Sequence, residues 1–215
     1  MRRRRFLSTA TLALAATAPL AARALDAKDI EGMYRSIAPQ PVADPNRVEV
    51  LEIFWYRCPH CYAFQPHVEA YAADLPAYVN FRRMPAVLRD SWIPQAKTFY
   101  VAETLGVLEK VHKPIFDAIH RERRPMSSRS DIKGFFEEQG VDGARFDAAF
   151  DSFSLDAQVR QADAQTRRYG LTGVPTVIVN GRYRTSGQLA GSYESMVEVM
   201  KTLVEMERTR LNITG

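Results

Sequence analysis

Residues 47–56 are rich in Val, Leu, Ile and aromatics, which predicts a buried β-strand. Residues 62–75 then switch period. Phe64, Val68, Tyr71 and Leu75 fall on one face at helical spacing, with Pro66 early enough in the segment to be tolerated near the first turn. Residues 78–87 read as a second strand, with a Val79-Asn80-Phe81-Arg82-Arg83-Met84 centre ended by Pro85. Ahead of these, residues 25–45 hold Pro39, Pro41 and Pro45 and read as an extended lead-in, with a short strand near 34–37. From about residue 92 to 169 the pattern is helical throughout. Segments 95–105, 107–120 (kinked at Pro114), 130–139, 144–153 and 155–169 are predicted, with Gly106, Gly140 and Gly170 as stops. Phe135, Phe136, Phe146, Phe150 and Phe153 are read as core of that block, and Glu137, Glu138, Arg167 and Arg168 as solvated faces. Strand sequence returns at 174–179. Asn180-Gly181 signals a hairpin, with 182–185 as partner. Tyr193, Met196, Val197, Met200, Leu203 and Val204 then define an amphipathic helix capped by Ser192, frayed after about residue 209. Strands flanking a long helical stretch predict one α/β domain interrupted by a helical insertion.

The first 24 residues break this pattern. Residues 2–5 are all arginine, residues 6–20 are mostly Ala, Leu and Thr, and Ala22-Arg23-Ala24 is a small-x-small triplet. The apolar run is too short to span a bilayer comfortably, so the segment predicts a cleaved secretory signal rather than a membrane anchor. Arg3-Arg4-Arg5-Phe6-Leu7 fits a twin-arginine signal and a general Sec signal alike. Its loss changes the charge argument. The formal charge of +4 becomes −1, from 24 basic against 25 acidic residues, so the basic precursor is no sign of nucleic-acid binding. Export would also place the cysteines where a disulfide persists.

Those cysteines, Cys58 and Cys61, are the chain's two. They stand in Cys58-Pro59-His60-Cys61, where the first strand hands over to a helix N-terminus. Unpaired amides and the macrodipole there favour a thiolate on Cys58. The dipole contributes about 0.3–1 kcal/mol, or up to ~2 when partly buried. One pKa unit corresponds to about 1.4 kcal/mol, so a larger depression needs other donors, such as the Cys61 N–H and S–H or a positive His60. The strand–CxxC–helix context favours redox catalysis. Three other readings stand beside it. A structural disulfide would close a loop too small to constrain the chain much. A zinc site would need about four ligands, and His112 and His120 lie far away in helical sequence. Two inert core thiols are the third.

Cys58-Pro59-His60-Cys61, with Leu51-Glu52-Ile53-Phe54 before it and Gly173-Val174-Pro175-Thr176 and Val179-Asn180-Gly181 after it, resembles the DsbA family of exported thiol:disulfide oxidoreductases. The likeness covers essentially the whole mature chain. It implies a thioredoxin fold with an inserted helical domain: residues 25–91 and 170–215 thioredoxin-like, 92–169 the insertion. It implies that Cys58 is the exposed, attackable cysteine and Cys61 its buried partner, and that Pro59 and His60 set the redox poise. Pro175 becomes a cis-proline facing the disulfide, Val174 offers backbone hydrogen bonds to an extended substrate, and Glu52 is the buried acid beneath the site. Without the resemblance Pro175 reads as a trans proline starting a strand. Glu52 reads either as a buried carboxylate that is protonated, paired or functional, or as an exposed edge residue. His67 reads as a solvated helix residue.

The function so implied is oxidation of reduced exported polypeptides in the periplasm by a Cys58–Cys61 disulfide. No metal or other cofactor is expected, and the chain is expected to act as a monomer, reoxidised by a membrane quinone-linked partner of the DsbB type. A rival from another class is a Cu(I) carrier using the two thiolates, for which no Met-rich or third-thiol motif is present. An isomerase or reductase is chemically nearer, but an exported isomerase should carry a dimerisation domain for which no residues are left over.

Overall fold

The computed structural model describes residues 26–214, so the predicted signal segment lies outside the described residues. Five strands form one sheet: β1 (Arg35–Ser36), β2 (Val48–Phe54), β3 (Val79–Pro85), β4 (Thr176–Val179) and β5 (Tyr183–Ser186). Their order is β1-β5-β4-β2-β3. β2 and β3 are parallel, and every other neighbouring pair is antiparallel. A parallel pair needs a crossover rather than a tight turn, and α1 (Pro59–Ala72) provides it. β2 has neighbours on both edges and all seven of its residues are buried, so apart from Glu49 and Glu52 its sequence is apolar.

The two faces of β2 follow the period of two. Val48 and Val50 join Phe64 and Val68 of α1 and Met196, Met200 and Leu203 of α8 (Tyr193–Arg210). Leu51 and Ile53 face the opposite way. They pack with Met84, Ile178, Ala96 of α2 (Ile93–Thr104) and Ala162 of α6 (Phe153–Arg168). A third cluster lies among α2, α3 (Leu108–His120), α4 (Arg129–Glu138) and α5 (Gly143–Phe150). Its Phe99, Phe116, Phe136 and Phe146 are sealed from solvent, each contributing about 1.5–3 kcal/mol relative to an exposed side chain. Phe54, Tyr56, Cys58 and Cys61 belong to this same cluster, so the cysteines sit at the seam between sheet and helical block.

The α/β order, the strands and the helix stops appear where the pattern predicts them. The turn between β4 and β5 has Asn180 and Gly181 at φ of +48° and +63°. A Cβ on Gly181 would stand 2.3 Å from the Gln40 carbonyl oxygen, so glycine is required there both by conformation and by space. Four features differ. The first helix begins at Pro59, not at residue 62, because Cys58 acts as N-cap and Pro59 fills the first helical position, where a missing N–H costs nothing. Pro66 is therefore inside the helix, and the Tyr62 carbonyl loses its partner four residues on. Phe153 is 81 % exposed. It opens α6 just after the Ser152 cap, on the outer side, where Arg160 lies over its ring at 5.6 Å. The lead-in is broken by turns at residues 27–32, and a short helix α7 (Gly187–Ala190), too brief to show a period, follows β5.

Candidate active site

Cys58 is held between two backbone hydrogen bonds. Its N–H donates to the Trp55 carbonyl at 2.9 Å, and its own carbonyl accepts from Tyr62 N–H at 3.1 Å. Its φ and ψ of −80° and 117° are those of an extended N-cap, which turns the side chain across the open end of α1. Both cysteines carry free thiols in this structure. The Cys58 thiol points to the Val174 carbonyl oxygen at 3.4 Å, and the Val174–Pro175 peptide is cis. Residues 58 and 174 thus meet across 116 positions of sequence.

The two sulfurs are driven apart in acidity. Cys58 falls from the ordinary 9.0 to about 6. The hydrogen bond from the Cys61 thiol is the leading cause. Burial opposes it, the amides of Cys61 and His60 add to it, and the His60 charge contributes least. Cys61, fully buried, is pushed well above 9.0 by desolvation and by its bond to Cys58. The expectation of an exposed Cys58 needs correcting. It is 8 % exposed against 0 % for Cys61, because the Val174 strand end and the helical block close over it. His60 is also not where the dipeptide suggests. It is exposed, and its Nδ1 lies 3.3 Å from the Tyr193 hydroxyl rather than on a sulfur. His60→Ala is therefore expected to raise the Cys58 pKa by less than Cys61→Ala does. Thiolate absorbance against pH checks this; equal shifts would mean that the Cys61 thiol is not the main donor.

Glu52 is fully buried beneath the pair. Parallel register sets it directly beside Arg83. One carboxylate oxygen accepts from Arg83 Nε at 3.1 Å and the other from Gln65 Nε2 at 3.0 Å. Desolvation still outweighs the arginine, so Glu52 rises from 4.5 to about 7. The Arg83 side chain is 8 % exposed and also meets Glu69 at 2.6 Å.

Helix α3 closes the other side, bringing in the two distant histidines. His112 Nδ1 and the Tyr56 hydroxyl are 2.8 Å apart, both buried. His120 Nε2 donates to the Tyr56 carbonyl at 2.8 Å, and its ring stacks on Tyr62 at 4.7 Å. The Tyr62 hydroxyl donates to Asp117 at 2.8 Å. Trp55 stacks on Trp92 at 4.1 Å. Burial pushes His112 down to about 3, so it is neutral. These groups orient the cysteine loop. Among the described residues no group of three or more His, Cys, Asp or Glu is placed to hold a metal ion.

Arg83, Tyr193, His112 and His120 were not legible as site residues. Arg83 left one trace: a charge within an otherwise strand-like run, four places after the start of a strand parallel to the one bearing Glu52. A cleft of about 700 Å³, lined among others by His60, Val174, Pro175 and Tyr193, reaches the cysteine loop at Val174, whose carbonyl meets the Cys58 thiol.

Residues 49–194 match the family described as the DSBA-like thioredoxin domain. The chain is 37% identical over 205 residues to the thiol:disulfide interchange protein DsbA of Pseudomonas aeruginosa, covering 95% of this chain and 97% of that one. It is 38% identical over 207 residues to the protein of the same name from Burkholderia cepacia, covering 94% and 96%. The crystal structure of Pseudomonas aeruginosa DsbA superposes with a TM-score of 0.84 at 36% identity, covering 87% of this chain and 100% of that one. The oxidoreductase NmDsbA1 from Neisseria meningitidis gives 0.77 at 26% identity, covering 87% and 98%.

Proposed function

The chain belongs to the DsbA family of thioredoxin-fold thiol:disulfide oxidoreductases, and from that premise we propose that it oxidises cysteine pairs of exported polypeptides by donating a Cys58–Cys61 disulfide. A client thiolate attacks the Cys58 sulfur. The Cys58–Cys61 bond breaks, a client–Cys58 disulfide forms, and Cys61 leaves with the electron pair. Its raised pKa makes it take a proton at once. A second client thiolate then attacks the client sulfur of the mixed disulfide and expels the Cys58 thiolate. Two electrons pass from the client pair to the enzyme pair. Glu52, near 7 and electrostatically coupled to Cys61, is the buried group suited to hold or release the proton. Pro59 and His60 tune the poise, and the Val174 backbone with Pro175 receives the client strand.

The rest of the reading follows from this role. Residues 1–24 direct export to the periplasm by the Sec or twin-arginine route. Residues 25–91 and 170–215 form the thioredoxin-like unit and 92–169 the helical insertion. The protein works as a monomer with no cofactor beyond its disulfide, and a membrane quinone-linked partner of the DsbB type restores it.

One observation carries the oxidase assignment: Cys58 is stabilised as a thiolate while Cys61 is not. Stabilising the reduced pair makes the disulfide an oxidant. The unfolded thiol has the higher pKa, so the depressed folded value stabilises the reduced fold above the unfolded pKa, and that stability is lost as pH falls through the folded one. The window therefore runs from pH 9 down to about 6. The potential should be about 30 mV more oxidising at pH 7 than that of an unshifted pair, growing to about 80 mV at pH 9. Equilibration with glutathione, with urea titrations of both redox forms, tests this. An oxidised form more stable than the reduced one at neutral pH overturns the assignment.

A further inference from the structure

The cleft that reaches the cysteine loop at Val174 is electrically uneven. Besides His60, Val174, Pro175 and Tyr193, two arginines line it, Arg35 and Arg184. They are direct antiparallel partners on β1 and β5, so their side chains leave the sheet on the same face as nearest neighbours, an arrangement that repels. Neither meets a carboxylate within ion-pair distance among the described residues, in contrast to Arg83, Arg124, Arg129 and Arg210. Each is tethered by one nitrogen instead. Arg35 Nη1 donates to the carbonyls of Gly32 at 2.9 Å and Tyr34 at 2.8 Å. Arg184 Nη1 donates to the carbonyls of Tyr169 at 3.1 Å and Gly170. The tethers fix both guanidinium groups while their other N–H donors stay available. The cleft's one carboxylate, Glu194, is turned to other partners: His67 lies 3.7 Å from it, and hydrogen bonds at the start of α8 hold it.

Two pre-oriented cations facing an open cleft whose one carboxylate is held by other partners match the fork geometry by which arginine takes a carboxylate. We infer that Arg35 and Arg184 form an anion subsite of the client cleft, selecting polypeptides that carry an acidic side chain close to the cysteine presented to Cys58. This rests on the oxidase reading above. The same pair disfavours clients with lysine at that place, and so discriminates by repulsion as well as attraction.

The test uses three reduced dithiol peptides that differ at one residue flanking the reactive cysteine: Glu, Gln or Lys. With the mature protein, kcat/KM for the Glu peptide should exceed that for the Gln peptide by about three- to tenfold at low salt, and the gap should shrink as salt rises. Arg35→Glu, an exposed change, sets a carboxylate directly across from Arg184 and should abolish the preference for Glu over Gln. The potential against glutathione should stay the same, since Arg35 touches neither cysteine. Equal rates for Glu and Gln peptides with the unmodified protein would overturn the subsite, and so would a preference that survives Arg35→Glu combined with Arg184→Gln. Failure to oxidise any of the three peptides would instead overturn the oxidase reading on which the subsite depends.

Discussion

Cys58→Ser reduces the oxidation of dithiol peptides to the uncatalysed rate, whereas Cys61→Ser leaves a protein that accumulates covalent adducts with clients through Cys58. The asymmetry comes from the different surroundings of the two sulfurs. Cys58 is the one at the open helix end, in contact with Val174 of the cleft wall, with its pKa lowered to about 6. Its thiolate is populated at neutral pH, and the thiolate is the nucleophile and the better leaving group. Cys61 has no exposed surface and its ionisation is suppressed. In Cys61→Ser, Cys58 attacks a client disulfide and the adduct persists, because the thiol that would release the client is gone. The serine hydroxyl keeps a donor near Cys58, so the thiolate should remain depressed in part. Non-reducing electrophoresis and intact mass read the adducts directly. Adducts in Cys58→Ser and none in Cys61→Ser would reverse the two roles.

Arg83→Met should destabilise the fold, and its cost should depend on pH. Glu52 is fully buried, and Arg83 is the strongest influence holding its carboxyl down against desolvation. Removing the partner of a buried charge costs about 3–5 kcal/mol where that charge cannot be discharged. Methionine keeps much of the volume, so packing loss is limited. The carboxyl can escape by taking a proton, and because it already titrates near 7, that route limits the added loss at pH 8 to about 1.4 kcal/mol. Glu52's folded pKa is raised, so its contribution to stability is fully present below pH 4.5 and is lost as pH rises through about 7. Without Arg83 the folded value rises further, and the loss should be largest above pH 7 and small near pH 5. Urea titrations of both proteins at pH 5 and pH 8 measure this, and Glu52→Gln in the Arg83→Met background should recover most of the loss at pH 8. An equal loss at both pH values would mean that Arg83 acts by packing rather than by compensating charge.

What the sequence determined by itself was local. The strand before Cys58, the helix after it, the Asn180-Gly181 turn, the caps and the glycine stops all depend on periodicity or on hydrogen bonds spanning a few residues. The low-pKa position of Cys58 belongs in part to this class, since the open helix end lies within its own tetrapeptide. The proline at 66 and the phenylalanine at 153 were misplaced for the complementary reason. The true start of a helix, and which of its faces turns inward, depend on what packs against it. The rest of the site was decided by tertiary structure. Arg83 meets Glu52 over 31 positions, Tyr56 meets His112 over 56, Cys58 meets Val174 over 116 and His60 meets Tyr193 over 133. No periodic pattern encodes such pairings. They arise because the sheet's register sets Arg83 beside Glu52 and Arg35 beside Arg184, and because the aromatic core around Phe54 and Phe116 seats α3 against the cysteine loop. Burial then raises the energetic stakes of each pairing. A carboxyl such as Glu52, an ordinary acid in a solvated strand, titrates near 7 only where the folded chain removes water and supplies a single arginine in its place.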